Sequence, residues 1–159
     1  MLLFFKTCGL TIPLLVFDQI AKWWIINHFS NHLDDTIRIN HYLEIVLAWN
    51  PGISFGYFGN FNQYSNLILA LINSTIVIYL LFMLAKAKSP IVAVGYSFVT
   101  GGAVGNIVDR LIRNAVCDFL HFHYNKISFP IFNLADSFIF IGSSLLLYGY
   151  YHEKKIIAK

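Results

Sequence analysis

The nineteen residues from Leu67 to Ala85 contain no charged side chain, and nothing else in the chain constrains its fold as strongly. A helix rises 1.5 Å per residue, so about 20 apolar residues cross a hydrocarbon layer of roughly 30 Å. Pro90 to Val108 is a second uncharged run of the same length. Ile127 to Tyr151 is apolar except for Asp136, and Leu2 to Ile26 carries only Lys6, Asp18, Gln19 and Lys22 against its apolar background. These segments are too long and too evenly apolar for barrel strands, which leaves a helical bundle as the spanning form.

Composition agrees. Hydrophobic residues make up 57% of the 159 and charged residues 12%, about half the charge of an ordinary soluble domain. So few charges would cover a soluble surface poorly, which argues against a soluble enzyme and a disordered chain. The 11 Lys and Arg behind the net charge of +3 are scattered, so no basic stripe points to nucleic acid. Cys8 and Cys117 form neither a metal-binding spacing nor a disulfide framework, and both read as small apolar packing. The expected fold is mainly α and integral to the membrane. It has four transmembrane helices, at about 2–26, 66–86, 90–112 and 133–152, in one membrane-embedded unit.

The interval between the first two helices is of another kind. Thr36-Ile37-Arg38-Ile39 and Leu43-Glu44-Ile45-Val46 alternate with period two, as short half-buried strands do. Asn50-Pro51-Gly52, Gly56 and Gly59-Asn60 punctuate it as turns. This predicts a small extracytoplasmic β-unit between helices 1 and 2, over about 30–62. With the N-terminus inside, Lys6, Lys86, Lys88, Lys154, Lys155 and Lys159 lie on the cytoplasmic side and Lys22, Arg38, Arg110, Arg113 and Lys126 opposite. The short loop and the tail carry the bias, so both termini are expected in the cytoplasm. The first apolar run has no small-x-small cleavage site before Asp18-Gln19, so it reads as a retained helix.

An ionisable group at membrane depth costs about 2.5–3.5 kcal/mol on insertion scales, so the placement of these groups carries information. In this topology Asp18 and Lys22, then Asn106, Asp109 and Arg110, then Asn133 and Asp136, all fall at the outer ends of their helices. Asp118 falls in the turn between helices 3 and 4. Each has a structural alternative: Asp18 with Lys22 and Asp109 with Arg113 are i,i+4 pairs, and Asn133 with Asp136 has the spacing of a capping box. Asp118 alone has no local partner. Three such alternatives holding together at one leaflet are less probable than one shared site. Asp118 and Asp136, with 17 residues between them in a hairpin, form a potential carboxylate pair. Such a pair shares a proton, one member acting as base toward water while the other hydrogen-bonds a scissile carbonyl.

Other readings are weaker. Gly52-Ile53-Ser54-Phe55-Gly56 matches the nucleophile-elbow pattern, but that elbow requires an α/β-hydrolase sheet that this chain does not supply. No sequence feature orients His121 or His123 as a base. Gly101-x-x-x-Gly105 reads as a helix-packing face. A transporter or channel subunit would spread its charges through the midplane with broken helices, and a scaffold would use its polar residues only to join helices.

The blocks Asp18-Gln19-Ile20-Ala21-Lys22, Asn50-Pro51-Gly52-Ile53-Ser54-Phe55-Gly56, Gly101 through Arg110, Val116-Cys117-Asp118-Phe119 and Phe132 through Ser137 resemble those of lipoprotein signal peptidase, also called signal peptidase II. The resemblance runs over essentially the whole chain, with the blocks in the family's order. It implies an aspartic endopeptidase of the bacterial cytoplasmic membrane, with no cofactor and no metal. Its substrate would be a diacylglyceryl-modified prolipoprotein, cut just before the lipidated cysteine. The family's catalytic aspartates fall on Asp118 and Asp136. Its other polar motif residues fall on Asp18, Lys22, Asn50, Gly52, Asn106, Asp109, Arg110 and Asn133, which would line or brace the site and hold substrate or the inhibitor globomycin. Membrane lipids are the other expected partners, nucleic acid is not one, and the protein is expected to act as a monomer. The family usually has Ala at Ser54 and favours Gly at Asn114. Asn is the next best residue for a positive φ, so the turn at Asn114 is expected to survive.

Overall fold

A computed structural model describes residues 2–30, 36–52, 65–125 and 127–157. Four long helices dominate: α1 (Leu2–Phe29), α2 (Ser65–Lys86), α3 (Pro90–Arg113) and α4 (Leu134–Ile157). Among the described residues, Gly9–Phe29, Asn66–Lys86 and Pro90–Arg113 are long and apolar enough to cross a membrane. Side chains such as Phe17, Ile20, Leu71, Ile72, Phe140 and Leu147 point outward, as lipid-facing residues do.

Helix α3 is the centre of the bundle and packs on the other three helices. Pro90 starts it, where a missing N–H is harmless. Its small residues permit the close packing. A Cβ at Gly102 would collide with the carbonyl oxygen of Ala135 on α4, and one at Gly105 would lie 2.6 Å from Asp18 Oδ2 on α1. The Gly101-x-x-x-Gly105 face therefore meets α1, with Gly101 against Leu14. Asn114 ends α3 in the left-handed region, at φ 57° and ψ 14°, the conformation expected of it.

A four-stranded antiparallel sheet, in the order β1-β2-β3-β4, sits at one end of the bundle. β1 (Ile37–Arg38) and β2 (Leu43–Asn50) are the two alternating stretches between α1 and α2. The other half corrects the sequence reading. β3 (Val116–Tyr124) and β4 (Ile127–Ser128) come from between α3 and α4, so Asp118 lies on a strand and not in a turn. The apolar run from Ile127 accordingly begins as strand, and the helix begins only at Leu134. β3 is stabilised from a distance: Asn50 pairs with Val116 and Ala48 with Asp118, with an irregularity between Ile45 and Ala48. Its Cys117 and Phe119 pack on Ile25 and Phe29 of α1, burial of the Phe119 side chain contributing about 1.5–3 kcal/mol relative to exposure. The predicted turn residues Gly56 and Gly59-Asn60 lie outside the described residues, as does Ser54.

Candidate active site

Five elements meet where the sheet joins the bundle, and their polar side chains form one connected network. Its innermost part is ionic. Lys22 on α1 is fully buried, with its Nζ 2.9 Å from Asp18 Oδ2 one turn back and 2.8 Å from Asp109 Oδ2 on α3. Asp109 Oδ1 also pairs with Arg113, and its Oδ2 accepts the backbone N–H of Cys117 at 3.2 Å. Asp18 Oδ1 accepts the N–H of Ala135 at 2.9 Å. This amide in the first turn of α4 has no partner within its own helix, and a carboxylate is favoured there. Both i,i+4 pairs thus exist, and both extend into contacts between elements.

Sequence reasoning missed Gln19. Its Nε2 lies 3.1 Å from Asp18 Oδ2, 3.2 Å from the Gly105 carbonyl and 3.2 Å from Asp109 Oδ1, and its Oε1 accepts from Arg113 at 3.1 Å. A carboxamide beside Asp18 in an otherwise apolar helix was the available signal, since a polar group there needs a partner.

Outside the ionic cluster lies a layer of carboxamides. Asn106 on α3 has its Oδ1 3.2 Å from Lys22 Nζ and 3.2 Å from Asn133 Nδ2, while its Nδ2 donates to Asp136 Oδ1 at 2.8 Å. Asn133 caps α4: its Oδ1 accepts the N–H of Asp136 at 2.9 Å, and Asp136 Oδ2 accepts the N–H of Asn133 at 3.3 Å. That reciprocal pair is a capping box. The same Asn133 donates from Nδ2 to Asp118 Oδ1 at 2.6 Å. One residue therefore touches both aspartates, and cap and site are a single arrangement. Asn50, at the end of β2, donates from Nδ2 to Asp118 Oδ2 at 2.9 Å while its Oδ1 accepts the N–H of Gly52 at 2.9 Å. Gly52 has φ +98°, a conformation that favours glycine, and a Cβ there would meet Leu69.

Asp18, Lys22, Asn50, Gly52, Asn106, Asp109, Asp118, Asn133 and Asp136 are thus linked through hydrogen bonds or ion pairs. Arg110 is set apart. Its Nη1 donates to the carbonyl of Asn106 in its own helix at 3.3 Å, and among the described residues its buried Nε has no partner.

The two central aspartates differ in exposure. Asp118 is 3% exposed, whereas Asp136 is only half-buried. Burial pushes the Asp118 carboxyl above the ordinary carboxylate range; the hydrogen bond from Asn50 opposes this and the charge of Asp136 adds to it. Asp136 opens onto a groove of about 690 Å³ lined by Phe122, Phe129, Phe132, Ser137, Phe140 and Ile141. Cys117 does not suit nucleophilic attack, because burial pushes its thiol up to about 12. His121 and His123 alternate with Leu120 and Phe122 along β3, and both face Glu44, with His121 also hydrogen-bonded to Ser128 at 2.7 Å. Among the described residues these partners lie outside the carboxamide network.

A helical membrane protein with two aspartates bridged by one asparagine, one of them opening onto an apolar groove, has the makings of a membrane-embedded hydrolase. Residues 10–152 match the family described as Signal peptidase (SPase) II. The chain is 46% identical over 156 residues to the lipoprotein signal peptidase of Rickettsia africae, spanning 98% of this chain and 78% of that one. The lipoprotein signal peptidase of Rickettsia canadensis is likewise 46% identical, over 98% of this chain and 80% of its own. A bacterial membrane enzyme solved by the in meso method at 2.3 Å superposes with a TM-score of 0.78 and 26% identity, covering 94% of this chain and 89% of that one. The chain belongs to the signal peptidase II family. It is a multi-pass bacterial membrane protease of the lipoprotein-processing type.

Proposed function

We propose that this protein is an aspartic endopeptidase that removes the signal peptide from diacylglyceryl-modified prolipoproteins, cutting before the lipidated cysteine. The observation that carries this reading is the tethering of Asp118 and Asp136 to the one residue Asn133, with Asp136 opening onto an apolar groove. All four helices cross the cytoplasmic membrane, both termini are cytoplasmic, and the site faces the outer leaflet. Lys86 and Lys88 in the short α2–α3 loop support this orientation, and Trp23 and Trp24, exposed near the sheet end of α1, suit the outer interface. The enzyme works as a monomer with no cofactor or metal, and globomycin competes for the site.

In the resting enzyme Asp118 holds the shared proton, consistent with its burial, and Asp136 is the base. Asp136 takes a proton from water as the oxygen adds to the scissile carbonyl carbon. Asp118 gives its proton to the carbonyl oxygen, producing a neutral tetrahedral diol. Asp136 then protonates the leaving nitrogen as the C–N bond breaks, and Asp118 recovers a proton from the diol hydroxyl. Asn50, next to Gly52, braces Asp118 where the extended substrate passes. Asp18, Lys22 and Asp109 hold the helices behind the pair, and Arg110 supports the site wall.

The test is incubation of the purified protein with a diacylated prolipoprotein, followed by mass spectrometry. The expected result is a mass loss equal to the signal peptide, blocked by globomycin and unaffected by EDTA. Cleavage of the unlipidated precursor at the same rate, or loss of activity in EDTA, would contradict the proposal.

A further inference from the structure

A primary carboxamide has a donor end and an acceptor end of nearly the same shape, so something must decide which end faces a neighbouring carboxylate. At this site three carboxamides point their N–H groups at the aspartates, and each has its oxygen engaged by a donor. For Asn50 that donor is the backbone N–H of Gly52, and for Asn133 it is the backbone N–H of Asp136. A backbone N–H cannot accept, so those two orientations follow from main-chain geometry.

Asn106 differs from both. Its oxygen faces Lys22 Nζ at 3.2 Å, together with one N–H of Asn133 at 3.2 Å. An ammonium has three N–H donors and no acceptor. Lys22 directs two toward Asp18 and Asp109, at 2.9 and 2.8 Å, and the third goes to Asn106. All three are placed in a fully buried environment, where an unmade hydrogen bond from a charge is costly. Turning the Asn106 amide over would set N–H against N–H at Lys22 and oxygen against oxygen at Asp136.

We infer that Lys22 is a positioning residue for Asp136, acting through Asn106, whose amide it locks with the donor end on the carboxylate. The inference rests on the reading of Asp136 as a catalytic carboxylate. It gives the buried ionic cluster a role in the chemistry beyond joining α1 to α3. Asp18 and Asp109 fix the ammonium, the ammonium fixes the amide, and the amide fixes the Asp136 side chain.

A double-mutant cycle in the full-length detergent-solubilised enzyme tests it, with kcat and KM measured separately on a diacylated prolipoprotein. Asp18→Asn with Lys22→Met removes one charge of each sign, and the carboxamide introduced on α1 keeps an oxygen for the Ala135 N–H. This pair should lower kcat by about tenfold in an otherwise unchanged protein and by no more than about twofold in an Asn106→Ala background, with KM nearly constant. Equal losses in both backgrounds would overturn the inference, because a purely structural role does not depend on Asn106. If the charge-neutral pair does not fold, Asn106→Asp serves instead: it keeps an oxygen for Lys22 and replaces the donor toward Asp136 by a carboxylate oxygen. Its kcat should fall at least as far as that of Asn106→Ala, and wild-type kcat would overturn the inference. Asp136→Asn separates the two levels. Its inactivity beside an additive cycle removes only the Lys22 role, whereas its full activity removes the catalytic reading as well.

Discussion

Two pairs of aspartates share one network and are compensated in opposite ways. Asp18 and Asp109 face cations, with Lys22 between them and Arg113 beyond. Asp118 and Asp136 face carboxamides, and among the described residues neither has an ion pair with Lys, Arg or His. A buried carboxylate paired with an ammonium is an ionic brace that is costly to break, while one bound only by neutral donors carries no such brace. The same residue type thus provides bracing on one side of Asn106 and, on our reading, chemistry on the other.

The comparison can be broken by substitutions on either side. On the carboxamide side, Asp118→Asn and Asp136→Asn should each lower the cleavage rate by at least about 10³-fold while lowering the thermal unfolding temperature in detergent by less than Lys22→Met does. On the cation side the balance reverses. Lys22→Met leaves two buried carboxylates short of a partner and should cost about 3–5 kcal/mol of stability, read as a large fall in unfolding temperature. Were Asp136→Asn to destabilise the protein more than Lys22→Met, the division between bracing and chemistry would be wrong.

Asn133→Ala sharpens the boundary, since this residue belongs to both sides. Losing the cap should cost about 1 kcal/mol of stability, and losing the contacts with both aspartates should cost more in rate than in stability. Asn50→Ala gives the smallest effect and the most specific one. The Asn50 amide favours the charged form of Asp118, so its removal makes Asp118 hold its proton to higher pH. The alkaline limb of the rate profile should therefore move to higher pH, and a shift to lower pH would show that Asp118 is not the proton holder.

Much of this arrangement can be read in the sequence because charges are costly in lipid. Asp18, Lys22, Asp109 and Asp136 stand out against uncharged runs, and once the helices are placed, their shared level follows. The structure brings them together at the sheet end of the bundle. The spacing of Asn133 and Asp136 identifies a capping box but not its second use, because contact with Asp118 depends on where β3 runs. That strand is the main omission. Its partner β2 lies about 70 residues earlier, and its buried residues Val116, Cys117, Asp118 and Phe119 are consecutive, so they show no alternation. Gln19 is hidden for a related reason: its partners on α3 lie 86 and 90 residues away, and no local pattern signals them.

The central claim is that the carboxamide-bound aspartates do the chemistry and the cation-bound ones do not. The most direct measurement is the cleavage rate of a diacylated prolipoprotein by purified Asp136→Asn protein, with its unfolding temperature recorded in the same detergent. The expected result is no detectable cleavage by a folded protein whose unfolding temperature stays above that of Lys22→Met. Cleavage at the unsubstituted rate would contradict it.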